Sequence, residues 1–145
     1  MNSKFDQHLM RGSWIQWGLW LLAVVPLFIG FWAFLAPYHF YEIFPLPGRN
    51  WVSTLGPYNE HLVRDYGANN LGFGVLLAAA AVLLERQIIQ VALVSWFAFA
   101  VPHLIFHLTQ THHFSLFDNV TQLSSLGFVA LLPIVLLFFV TMQKR

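Results

Sequence analysis

The sequence contains no cysteine and has few charged residues. Asp, Glu, Lys and Arg make up 9% of its 145 residues, whereas a soluble domain carries about 25%. The absence of cysteine excludes disulfides, thiolate metal sites and iron–sulfur clusters. The formal net charge of +1 offers no basic surface to a nucleic acid, so we expect no nucleic-acid partner.

Apolar residues, in contrast, are abundant, at 58% of the chain. A single soluble domain of this length could not keep so much apolar surface away from water, so a lipid bilayer is the expected solvent. A membrane-spanning helix needs about 20 mostly apolar residues. Four stretches meet this requirement, at about 14–36, 66–84, 88–108 and 120–142. The sequence therefore predicts an all-α integral membrane four-helix bundle that forms one domain over residues 1–145.

The basic residues predict the orientation of this bundle, because Lys and Arg collect in cytoplasmic segments. Five of the seven fall on one side of the predicted bundle: Lys4, Arg11, Arg86, Lys144 and Arg145. We expect both termini in the cytoplasm and, in a bacterium, a multi-pass protein of the inner (plasma) membrane. The first apolar stretch is too long for a cleaved signal peptide, so residues 14–36 are interpreted as a retained span.

The first connection, residues 37–56, is long and rich in aromatic residues. Pro45, Pro47 and Gly48 prevent a single continuous helix, so we predict a short interfacial helix near Tyr38–Phe44 followed by a turn. The aromatic rings fit a belt that anchors the loop at the membrane surface, and a lid over a lipid-facing pocket is the alternative. Pro57 is typical of a first helical turn, so the second helix is predicted to extend outward to about residue 57.

Small residues predict close helix packing at two places. The group on the second span consists of Gly67, Ala68, Gly72 and Gly74, followed by Ala78 to Ala81. The group on the fourth span consists of Ser124, Ser125 and Gly127.

Polar residues form stripes at helical spacing near one end of the predicted bundle. His61, Asp65 and Asn69 are four residues apart on one face of the second helix, and Glu60 and Arg64 are spaced for an ion pair on the next. On the third helix, His103 and His107 are also four apart, a spacing that lets two imidazoles share a metal ion. Ionisable groups inside a span are costly and are therefore candidates for function. The alternative is a structural pair that forms hydrogen bonds across helices.

Alternating helix directions place these stripes in one leaflet together with the start of the fourth helix, where Asp118, Gln122 and Ser125 share a face. We therefore expect His61, Asp65, His103 and Asp118 to lie in one layer around an outward-facing pocket. Simpler interpretations remain open for several of these groups. Asp118 is suited to capping the fourth helix, and the Asn119 to Gln122 spacing resembles a capping box. His112 and His113 fit solvated loop residues.

Two segments resemble small uncharacterised four-span bacterial membrane proteins, loosely of the DoxX type: PYNEHLVRDYG at 57–67 and PHLIFH at 102–107. This resemblance implies the architecture and no agreed activity. The two histidines of the second segment, followed by His112 and His113, also resemble the His boxes of membrane fatty-acid hydroxylases and desaturases. Those sites use more histidines than this region offers, so the likeness implies a mononuclear metal site at most.

Two functional hypotheses follow from these residues. The first is a metal-dependent membrane oxidoreductase acting on a lipophilic substrate, with Fe, Cu or Zn as the metal. Its predicted residues are the ligands His61, His103 and His107, the catalytic pair Arg64 and Asp65, and the cofactor contacts Tyr66 and Asn69. Asp65 suits either a ligand or a group that orients His61. Haem would require ligands from two helices, such as His61 and His103.

The second hypothesis is non-enzymatic. Here the polar layer belongs to an accessory subunit, or to a protein that binds a quinone or a lipid within a larger membrane complex. A channel or proton-coupled transporter is not expected, because the polar groups stop halfway along the predicted helices.

Overall fold

The computed structural model describes residues 13–142 and confirms the predicted all-α membrane bundle. It contains five α-helices: α1 Trp14–Leu35, α2 Pro37–Ile43, α3 Glu60–Leu83, α4 Arg86–Thr109 and α5 Leu116–Met142. All except α2 are long and apolar enough to cross a bilayer. The short helix α2 confirms the helix that was predicted in the first connection.

The four long helices run alternately up and down. At one end, the Gln16 side chain donates to the Ala81 carbonyl over 2.9 Å and Arg86 donates to the Thr141 carbonyl over 2.7 Å. At the other end, here called the loop end, α1 and α4 finish and α3 and α5 begin. The flanking basic residues used to predict orientation, Lys4, Arg11, Lys144 and Arg145, lie outside the described residues. The cytoplasmic location of the termini therefore stays a prediction.

Side chains at the helix starts define where the helices begin. α3 begins at Glu60 rather than near residue 57, because the Asn59 side chain accepts a hydrogen bond from the Leu62 amide over 3.2 Å and Pro57 stays outside the helix. α5 is preceded by Ser115, whose hydroxyl oxygen accepts from the Asp118 amide over 3.1 Å. The cap of α5 is therefore the Ser115–Asp118 pair and not the predicted box beginning at Asn119.

Helices α1 and α3 pack with their backbones in direct contact, as close packing of small residues allows. A Cβ atom on Gly67 would lie 2.6 Å from the Phe34 amide nitrogen, and one on Gly30 would lie 2.8 Å from the Leu71 amide nitrogen. A Cβ on Gly74 would lie 2.6 Å from the Leu27 side chain in the same interface. Ala80 and Ala81 of the predicted group are also fully buried in the core. The rest do not pack closely, since Gly72 and Gly127 face open space and Ala68, Ser124 and Ser125 are exposed.

Helices α1 and α5 touch near the chain termini, at the end opposite the loop end. There the Leu136 side chain would be 2.9 Å from a Cβ on Gly18, and the rings of Trp14 and Phe139 meet edge to face at 5.0 Å. Two helical turns further toward the loop end, the same two helices instead line a cavity. This separation gives the bundle an internal space within its apolar region.

Candidate functional site

A cavity of about 440 Å³ lies at the loop end and is lined by all four long helices. Its apolar wall is formed by Val25 and Ile29 of α1, Leu62 and Val63 of α3, and Leu126 and Val129 of α5. Phe106 of α4 and Phe40 of α2 add aromatic rings. The volume falls in the range of about 300–1,000 Å³ that is usual for small-molecule sites.

The polar part of the wall consists mainly of His103, His107 and Gln122. Gln122 is 2% exposed and His107 is 8% exposed. His107 Nδ1 lies 3.0 Å from Gln122 Oε1, and the two imidazole rings meet edge to face with centroids 4.7 Å apart. The predicted pairing of the two histidines on one face of the third span is therefore present, and their partner is a neutral amide rather than a carboxylate.

The His103 ring is held within an aromatic stack. It lies nearly parallel to Phe99, with centroids 5.5 Å apart, and to Tyr66, with centroids 6.2 Å apart. Tyr66, which was predicted to contact a cofactor, lines the cavity. Asn69, predicted to do the same, is exposed on α3, and its neighbour Asn70 is the buried amide, donating to the Tyr66 carbonyl over 2.9 Å.

The predicted stripe of His61 and Asp65 does not reach the cavity lining. Helix α3 buries the face that carries Val63, Gly67 and Gly74, and Asp65 lies about 200° around the helix from Val63 at 3.6 residues per turn. His61 Nε2 and Asp65 Oδ2 are 3.3 Å apart, with their side chains 82% and 63% exposed. Within residues 13–142, no three His, Asp or Glu side chains form a group able to hold a metal ion.

Arg64 is held at the end of α1 rather than in the cavity. Its Nε donates to Glu60 Oε1 over 2.8 Å, which confirms the ion pair predicted from the spacing. Its Nη1 donates to the Phe34 carbonyl, one of the last carbonyls of α1. A cation in this position satisfies an orphan carbonyl and complements the helix dipole, so these contacts stabilise the end of α1.

The loop between α2 and α3 covers the cavity. Phe44, Trp51, Val52, Leu55 and Gly56 all belong to its lining. The loop is closed on itself where the Trp51 amide donates to the Phe44 carbonyl over 2.8 Å, and Tyr41 donates from its hydroxyl to the Gly56 carbonyl over 2.7 Å. This arrangement matches the lid alternative of the sequence analysis in position, since the aromatic loop lies over a pocket.

Asp118 fastens this loop to the start of α5. Its Oδ1 accepts from Trp51 Nε1 over 3.0 Å and lies 3.4 Å from Arg49 Nη1, while the Ser115 hydroxyl donates to Oδ2. The Asp118 side chain is 12% exposed. The Asp118 carboxylate thus holds both the capping hydroxyl of Ser115 and the loop over the cavity, and it reaches the site indirectly through Trp51.

Sequence reasoning identified His103, His107 and the stripe of Asp118, Gln122 and Ser125, but not the residues that enclose the cavity. Phe106, Leu126 and Val129 give no signal in the sequence, because apolar residues inside a span face lipid or protein equally well. The aromatic content of the first connection was the one usable clue to the cover. No protein-family model, curated protein or solved structure matches this chain.

Proposed function

We propose that this protein binds a neutral lipophilic small molecule in the loop-end cavity. The observation that carries the proposal is the composition of the wall: none of its lining residues within 13–142 is Lys, Arg, Asp or Glu. An anionic or cationic ligand would be buried there without a counter-charge, at a high free-energy cost. A wall of aliphatic and aromatic side chains with a few polar groups is typical of sites for small apolar ligands.

This proposal follows the second sequence hypothesis, a quinone- or lipid-binding protein, in preference to a metal-dependent oxidoreductase. His103 and His107 could supply two ligands to one metal, and this pair is what favours the metal hypothesis. However, zinc sites in proteins use three or four ligands, and the predicted third ligand, His61, pairs with Asp65. Neither Arg64 nor Asp65 belongs to the cavity lining. The catalytic roles predicted for them stay hypotheses.

Replacing Leu126 with tryptophan tests the proposal, because the indole would occupy the space that the ligand needs. We expect Leu126→Trp to weaken the binding of the organic molecule at least about tenfold, which corresponds to about 1.4 kcal/mol, and so to lower the fraction of protein that carries it. The measurement is native mass spectrometry of protein released directly from its membrane. Wild-type protein should carry one neutral molecule.

Leu131→Trp is the matched control, since Leu131 lies on the same helix and is 62% exposed toward the outside of the bundle. This variant should keep the bound molecule. Wild-type protein without any adduct, or equal loss in both variants, would contradict the proposal.

The metal hypothesis makes a separate prediction. Two imidazoles without a third protein ligand should hold metal weakly, so purified wild-type protein should contain far less than one Fe, Cu or Zn per chain. Elemental analysis should find the same content in the double variant His103→Ala, His107→Ala. Stoichiometric metal that disappears in the double variant would instead establish the metalloprotein.

A further inference from the structure

The Gln122 side chain has one polar atom that the protein leaves unsatisfied. Its Oε1 lies 3.0 Å from His107 Nδ1, but its Nε2 is buried and has no hydrogen-bond partner within residues 13–142. The residue is 2% exposed and belongs to the cavity lining. A buried amide donor without a partner is costly.

The contact with His107 fixes the roles of both groups. Because Oε1 can only accept, His107 must carry its proton on Nδ1, and its Nε2 is then an acceptor in the neutral ring. The amide oxygen is thus already engaged by His107, whereas the two N–H donors of Nε2 have no partner. A complementary ligand atom is a hydrogen-bond acceptor that bears no charge, since the wall contains no ion to balance one.

We propose, as an extension of the proposed function, that the ligand carries a neutral carbonyl group, as in a ketone or quinone, and that Gln122 Nε2 donates to its oxygen. The surrounding rings favour a flat body for this ligand. Tyr66, Phe106 and Trp51 all line the cavity, and aromatic faces pack well against a planar ring system. Gln122 is thus the residue that determines the polar specificity of the site.

Three ligands that share one hydrocarbon body and differ in one polar group test this inference: decyl-tetralone, decyl-tetralol and decyl-tetralin. Their binding to wild-type protein in lipid nanodiscs is measured by equilibrium dialysis, with empty nanodiscs to correct for partition into lipid. The ketone should bind about tenfold more tightly than the hydrocarbon, as one added hydrogen bond to an otherwise unsatisfied donor predicts.

Gln122→Met then removes the donor while keeping a side chain of similar length, and the ketone should lose its advantage over the hydrocarbon. Ser124→Ala is the control, because Ser124 lies outside the cavity lining and its hydroxyl donates to the Thr121 backbone carbonyl over 3.2 Å, and it should keep the preference. The three-ligand comparison on wild-type protein stands even where Gln122→Met does not fold.

The outcomes separate the two proposals. Saturable binding of all three compounds with equal affinity would overturn the carbonyl inference and leave the proposed function intact. Tightest binding of the alcohol would also overturn it, because the preferred ligand group would then be a hydroxyl that donates to the site, to Gln122 Oε1 or to His107 Nε2, rather than a carbonyl. Absence of saturable binding for all three would count against the proposed function itself, and the carbonyl inference would fall with it.

Discussion

Replacing Gly67 with valine is expected to separate α1 from α3 and to unfold much of the bundle. A Cβ on Gly67 would lie 2.6 Å from the Phe34 amide nitrogen and 3.0 Å from the Gly30 carbonyl oxygen. Both are backbone atoms, so no change of rotamer can relieve the overlap, and the helices must move apart. Overpacking of this kind costs about 3 kcal/mol or more, which corresponds to a thermal midpoint lowered by at least about 10 °C.

Gly72→Val provides the matched control on the same helix. Nothing lies within 4 Å of a Cβ built on Gly72, so this variant should denature within about 2 °C of wild type, because surface substitutions usually change stability by less than about 0.5 kcal/mol. Thermal denaturation in detergent, followed by size-exclusion chromatography of the surviving protein, measures both. Equal midpoints for the two variants would refute the close approach of α1 and α3.

Replacing Asp118 with alanine is expected to release the loop that covers the cavity. The substitution leaves Trp51 Nε1 without its acceptor, removes the ion pair with Arg49 and removes the acceptor of the Ser115 hydroxyl proton. Because the Ser115 hydroxyl oxygen still accepts from the backbone amide at position 118, α5 should keep its start and the effect should be local. Amide hydrogen exchange in the peptide covering residues 45–56 should accelerate at least about tenfold, because the hydrogen bonds that hold this segment closed are lost.

Asp65→Ala is the comparison for this change. It removes a carboxylate at the same end of the bundle, but Asp65 is 63% exposed and pairs with His61 outside the cavity lining. Exchange in the loop should match that of wild type. A loop that exchanges equally fast in wild type and in Asp118→Ala would show that this carboxylate does not hold the cover in place.

Composition and apolar length predicted the fold well, because a bilayer allows few alternatives to spanning helices. The helix bounds differ from the predicted spans mainly where side-chain caps decide. Asn59 starts α3 at Glu60, and Ser115 with Asp118 starts α5 at Leu116. These caps lie outside the apolar stretches, so hydropathy alone could not locate them.

The site was harder to predict, since helical spacing gives relative positions on a helix but not which face is buried. His61, Asp65 and Asn69 do share a face of α3, but the glycines Gly67 and Gly74 turn the opposite face toward α1. His103 and His107 were found because an ionisable pair within a span is rare. Their contacts with Tyr66 and Gln122 depend on how three helices pack, which the sequence of any one helix does not specify.

The claim that the loop-end cavity is a ligand site is tested most directly by photolabelling wild-type protein in nanodiscs with an alkyl ketone that carries a diazirine. Labelled residues are then mapped by peptide mass spectrometry, with and without an excess of the unlabelled ketone. We expect saturable labelling at cavity residues such as Leu126 and Val129. At lipid-facing residues such as Phe31 and Leu131, we expect labelling that excess ketone does not reduce. Labelling found only at lipid-facing residues, with no competitor-sensitive labelling in the cavity, would contradict this account.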